Sequence, residues 1–133
     1  MTPTASALLG FAAWSLILVL GIAFYRTFIA MQQKKALNNF LATGVDLPLF
    51  GQRLTRVHAN TYEFLPVAGA VMLYAIATEQ NEITDPLASI FLLARLGQSL
   101  VHLASTSVPA VLIRFLFFGA QIFIVGSWII RFI

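Results

Sequence analysis

Arg53, Arg56, Asn60 and Glu63 recur at spacings of three, four and three, which on a helix places all four on one face. Two guanidinium groups, an amide and a carboxylate then line a single groove. Further along, Arg95, Gln98, Ser99 and His102 form a second polar stripe by the same spacing argument. His102 on this stripe is a hydrogen-bonding or proton-transfer group, because imidazole changes charge near neutral pH. The surroundings of these residues make them informative: a charge at the centre of a bilayer costs at least about 2.5–3.5 kcal/mol on insertion scales. Arg95 is the deepest charge and must find a partner or a wet cavity, and Glu63 is the only carboxylate expected within the hydrocarbon region. Two uses of the polar set are open. It forms a functional site, or Glu63, Arg95, Asn60 and Gln98 bond to one another and hold a bundle together.

The elements that must carry these stripes are membrane spans. Runs of about 20 apolar residues cross the hydrocarbon core, and four are expected: Ala5 to Tyr25, Val57 to Ala77, Leu87 to Ala104, and Val108 to Phe132. No alternation of a β-barrel strand is present. The first helix is expected to continue past the membrane surface through Arg26 to Leu41, with Gly44 as its stop. Asp46 to Gln52, with Pro48 and Gly51, reads as a loop. Glu63 then lies about 9 Å below the start of the second span at about 1.5 Å per residue. Gly119 and Gly126, seven apart on the fourth helix, are expected to permit close helix packing.

Orientation follows from charge. The first loop holds Arg26, Lys34, Lys35, Arg53 and Arg56 against one acid, Asp46, whereas the second connection carries Glu79, Glu82 and Asp85 and no base. The positive-inside rule places the first loop in the cytoplasm and both termini on the opposite side. No Lys or Arg precedes Ala5, so the first segment lacks the basic start of a signal peptide and is expected to be retained. Trp128 falls where an interfacial aromatic belt is expected, and Arg114 is near enough to the cytoplasmic end of its span to snorkel.

The composition agrees. In 133 residues, 59% are hydrophobic and 10% charged, with a mean hydropathy of +0.88, against about 25% charged residues in ordinary soluble domains. A soluble chain of this length cannot bury so much apolar surface, and 12 Phe argue against disorder. Net charge is +3 from only 8 Lys and Arg, which form no run, so nucleic acid is not an expected partner. No Cys is present, which removes disulfides and thiolate ligands. His58 and His102 alone do not make a metal site; His58, off the Arg56/Asn60/Glu63 face, reads as an interfacial residue. No phosphate loop, nucleophilic serine motif or dinucleotide fingerprint occurs. Residues 1–133 form one all-α membrane domain.

The run Arg56-Val57-His58-Ala59-Asn60-Thr61-Tyr62-Glu63-Phe64-Leu65-Pro66 resembles the signature of the MAPEG family, the membrane-associated proteins in eicosanoid and glutathione metabolism. The Arg, Asn, Glu and Pro positions match, and Phe64 stands where many members carry Tyr. Length, four spans, the basic first loop and Ala94-Arg95-Leu96 fit as well, so the resemblance covers essentially the whole chain.

The resemblance implies a left-handed four-helix bundle assembled as a homotrimer, with glutathione, or a related low-molecular-weight thiol, bound between subunits near the cytoplasmic face. Hydrophobic substrates would arrive from membrane lipid. Arg56, Asn60 and Glu63 would hold the tripeptide, whose carboxylates, amides and ammonium suit them, supported by Lys34, Lys35, Arg53 and Gln98. The implied activity is transfer of the thiol to hydrophobic electrophiles, or their reduction. Many catalytic members carry Tyr where this chain has Gln98 and His102, and an Arg where it reads Ser105-Thr106-Ser107-Val108-Pro109. His102, Ser99 or Arg114 would therefore have to favour the thiolate. The alternative is a non-catalytic subunit of the same fold. A small proton-coupled exporter is disfavoured, because Ala5 to Tyr25 contains no carboxylate.

Overall fold

The computed structural model describes all 133 residues and contains no strand. Four helices run in chain order: α1 (Pro3–Gln33), α2 (Leu49–Ala77), α3 (Asn81–Ala104) and α4 (Val108–Phe132), with a single 3-10 turn at Leu37–Asn39 in the first connection. Their ends have local causes. Thr2 caps α1 by accepting from the Ala5 N–H at 3.1 Å, with Pro3 in the first turn. Ser107 caps α4 in the same way, accepting from Ala110. α1 stops where Lys34 takes left-handed backbone (φ 52°) and Lys35 donates its N–H to the Ala30 carbonyl at 3.0 Å, a helix-ending pattern usually built on glycine. The expected extension to Leu41 is thus cut short at Gln33. Gly44 has φ 73°, but it closes a turn in the connection rather than ending the helix.

α2 begins at Leu49, inside the stretch read as a loop, so Arg53 and Arg56 are helical. α3 takes in Glu82 and Asp85, leaving Thr78, Glu79 and Gln80 as the link between α2 and α3. Pro66 lies inside α2; its ring supplies no N–H to the Tyr62 carbonyl, a loss that helices packed among other helices tolerate.

α1, α3 and α4 are each long and apolar enough to cross a membrane. α2 has the length, at 29 residues, but Asn60, Glu63 and its basic first turns lower its hydropathy. The protein is an integral membrane four-helix bundle in which the least apolar helix carries the polar motif.

α3 is the hub, packing against α1, α2 and α4, while α2 and α4 barely touch. All four helices meet at one end only, where Ala7, Phe11, Ala68, Met72, Ala88, Phe91, Ile124, Val125 and Trp128 form the core. Trp128 is fully buried there, 5.8 Å from the Phe91 ring. This corrects the expectation of an interfacial belt residue: hydropathy registers depth along the normal, not which side of the helix faces its neighbours. Within the chain, Gly119 and Gly126 pack against no other helix, since a Cβ on either would meet nothing within 4 Å. Close approach occurs instead at Gly10 against Leu92 and at Gly97 against Phe117.

Towards the other end the bundle splays. Between Ala110 and Gln121 no residue of α4 is buried, and the space between it and α2 is a crevice.

Candidate functional site

The polar face of α2 opens into three cavities in series. At its start Arg53 and Arg56, with Gln52, Thr43 and Thr106, line a cavity of about 380 Å³. Next, Asn60 faces a cleft of about 190 Å³ shared with Gln98, His102 and Arg114. Beyond it, Asn60 and Glu63 line a third of about 200 Å³ with Phe64 and Phe118. The sequence spacing therefore brings Arg53, Arg56, Asn60 and Glu63 to one continuous wall. α4 contributes Arg114 and Phe118, and α3 contributes Gln98 and His102.

Within this wall the roles differ. Arg53 is partly committed, donating through Nε to the Leu103 carbonyl at 2.8 Å, which ties the first turns of α2 to the end of α3. Arg56 is exposed and makes no hydrogen bond within the chain, so its fork is free for an anion. Glu63 is also exposed.

Arg95 does not pair with Glu63, the one carboxylate expected within the hydrocarbon region. Its side chain is fully buried, with the guanidinium 4.9 Å from the Phe64 ring centroid and 5.2 Å from that of Phe11, and Nη1 donates to Asn60 Oδ1 at 2.9 Å. Two aromatic faces and an amide oxygen hold the cation without a formal counter-charge. Glu63, on the cleft side of α2, is left available to a ligand. Gln98 Nε2 also donates to Asn60 Oδ1, at 3.3 Å, and Gln121 Nε2 donates to Gln98 Oε1 at 2.9 Å. Gln121, fully buried on α4, was not singled out by the sequence. Its place at the polar level of α3 is the only signal that could have found it.

The second stripe lies inside the bundle, where Arg95, Gln98, Ser99 and His102 are all buried. It divides by direction. His102 lines the cleft with Arg114. Ser99 faces α1, where its Oγ accepts from Trp14 Nε1 at 3.0 Å, and it does not join the cleft. His58 lies against Tyr62, ring centroids 5.2 Å apart and tilted by 49°, off the site.

The first-loop lysines also separate. Lys35 Nζ donates to Asp46 Oδ2 at 2.8 Å and sits 4.5 Å from the centroid of the Phe40 ring. Lys34 is exposed at the end of α1. Neither lines the three cavities within one chain. No group of three or more His, Asp or Glu side chains is arranged to hold a metal ion.

Chemically, the wall has cations at the start of α2, an anion further along, a polar amide between them, and an imidazole beside a guanidinium opposite that amide. Such a sequence suits an elongated ligand with carboxylates and an ammonium at separate ends. Among protein families, the model described as the MAPEG family matches residues 4–133. No curated protein and no solved structure gives a match.

Proposed function

Because the chain belongs to the MAPEG family over essentially its whole length, we propose that it binds glutathione, or a related low-molecular-weight thiol, along the polar wall of α2 and joins it to a hydrophobic electrophile from the bilayer. The observation that carries this reading is the order of groups along the wall: the unpartnered Arg56, then Asn60, then the exposed Glu63, each opening into a cavity. Arg56 takes a carboxylate, Asn60 an amide or carboxylate, and Glu63 the ammonium. The thiol then falls near His102 and Arg114, where a neighbouring cation favours the thiolate. The sulfur lone pair attacks the electrophilic carbon, the C–S bond forms, and the leaving group departs with its bonding pair.

The family also supports a homotrimer, with the site between subunits near the cytoplasmic face and both termini on the other side. In that arrangement Lys34 or Lys35 of a neighbouring copy would supply the further cation that the wall lacks within one chain.

One observation favours a second, non-catalytic reading as a structural subunit: Arg95, Gln98 and Ser99 spend their hydrogen bonds inside the bundle. The deciding experiment is calorimetric titration of purified protein with glutathione, together with conjugation of a chlorinated nitroaromatic. Binding and turnover, both reduced at least about tenfold in Arg56→Ala and Glu63→Gln, are expected. Loss of assembly in these variants, with no binding by the parent protein, would favour the structural subunit.

A further inference from the structure

Asn60 receives two hydrogen bonds on one oxygen, from Arg95 Nη1 at 2.9 Å and Gln98 Nε2 at 3.3 Å, while its Nδ2 has no partner in the chain. An amide side chain can ordinarily turn over, exchanging its oxygen for its nitrogen. Here both ends of the chain of amides are fixed by groups that cannot. A guanidinium only donates, so the atom of Asn60 facing Arg95 must be the oxygen. That oxygen calls for a donor from Gln98, which turns the Gln98 oxygen toward Gln121. At the far end Gln121 Nε2 also donates to the Phe117 carbonyl at 2.9 Å, and a carbonyl only accepts. The two ends agree, and every amide between them has one orientation.

We propose that Arg95 is a positioning residue that sets the polarity of Asn60, so that the cleft is presented with two N–H donors and takes a hydrogen-bond acceptor there: a carboxylate or carbonyl oxygen of the ligand, not an ammonium or hydroxyl hydrogen. The fully buried guanidinium is held by Phe11 and Phe64 and needs no titration to keep this sense. Its Nε and Nη2 have no partner, so no other acceptor competes with Asn60 for it. The ligand assignment rests on the thiol-binding reading above; the amide polarity does not.

The test uses the full chain in detergent micelles, with side-chain amides labelled by ¹⁵N. In the protein alone, the Gln98 amide protons exchange slowly and those of Asn60 quickly. Arg95→Met releases the chain of amides, and Gln98 exchange quickens by about tenfold or more. Arg95→Lys, which also only donates, restores the slow exchange. Should Arg95→Met fail to assemble, Arg95→Gln, able to present an oxygen, takes its place in the comparison. Equal Gln98 exchange in the parent protein and in a folded Met or Gln variant overturns the proposal.

Asn60→Asp tests the ligand side. Its carboxylate still accepts from Arg95 and Gln98, so thermal stability holds, but both donors into the cleft are lost and glutathione affinity falls by about tenfold or more. Parent-like glutathione affinity in Asn60→Asp overturns the acceptor assignment. Arg95-dependent exchange in a parent protein that binds no glutathione supports the amide polarity and removes the thiol reading alone.

Discussion

The carboxylate of Asp85, near the start of α3, accepts two hydrogen bonds from Thr4 at the start of α1: one from the backbone N–H at 2.9 Å, one from the hydroxyl at 2.6 Å. The Thr84 hydroxyl lies 2.6 Å from the same Thr4 oxygen, and both threonines are fully buried. An acid from one helix thus serves as an anionic cap on another, satisfying an N–H that α1 cannot pair itself. Asp85→Ala is expected to lower stability by about 1–3 kcal/mol, read by thermal unfolding in detergent. Glu82→Ala, three residues away and exposed, should stay within about 0.5 kcal/mol of the parent.

In the first connection, the hydrogen bond from Lys35 holds the Asp46 carboxyl below its ordinary value of 3.8. A carboxyl depressed by folding contributes fully above its unfolded value, and that contribution disappears as pH falls through the folded one. The Asp46 carboxyl carbon resonance is expected to titrate with a midpoint below 3.8. Lys35→Met should move the midpoint up toward that value; an unmoved midpoint would sever the link between the two side chains.

Two glycine substitutions should act with opposite signs. A Cβ at Gly51 would run into the Tyr25 ring and lie 2.9 Å from the Leu47 Cβ, and Tyr25 is already packed edge-on against Phe50 at 5.5 Å. Gly51→Ala is expected to cost about 1–3 kcal/mol. Gly119→Ala meets open space within the chain and should gain up to about 1 kcal/mol from helix propensity. Thermal unfolding of the two variants side by side checks both.

Trp14→Phe removes the N–H that Ser99 Oγ accepts and leaves a buried hydroxyl without that donor, at an expected cost of about 1–3 kcal/mol. Because Ser99 faces away from the cleft, glutathione affinity should not change. A loss of affinity without loss of stability would return Ser99 to the site.

At the cleft, Arg114→Met and His102→Ala should each diminish the ultraviolet absorbance of bound thiolate, with glutathione still held through Arg56 and Glu63. If both variants keep the parent absorbance, thiol activation lies elsewhere.

The helices and the α2 motif were legible because apolar run length and the three-and-four spacing are local properties of a chain. That Arg95, Gln98, Ser99 and His102 share one stripe followed from the same spacing; that all four are buried did not. The partner of Arg95 was not legible: counting opposite charges points to Glu63, whereas the bundle holds the cation with ring faces from α1 and α2 and with the Asn60 oxygen, none of which carries charge. The burial of Trp128 and the open space beside the α4 glycines within the chain were hidden for a related reason. Hydropathy and small-residue spacing say how deep a residue lies, not which neighbour it turns to, and only the divergence of α4 from α2 decides that. The end of α1 at Lys34 was hidden because a lysine there adopts backbone more often found in glycine.

That divergence also bears on how any substrate would be counted. On the proposed reading, a hydrophobic electrophile that enters the crevice between α2 and α4 from the bilayer would fill it according to its mole fraction in lipid or detergent and not its molarity in water. Adding empty micelles at constant total electrophile would then slow the reaction as surely as removing the electrophile itself, while leaving saturation by a water-soluble thiol untouched.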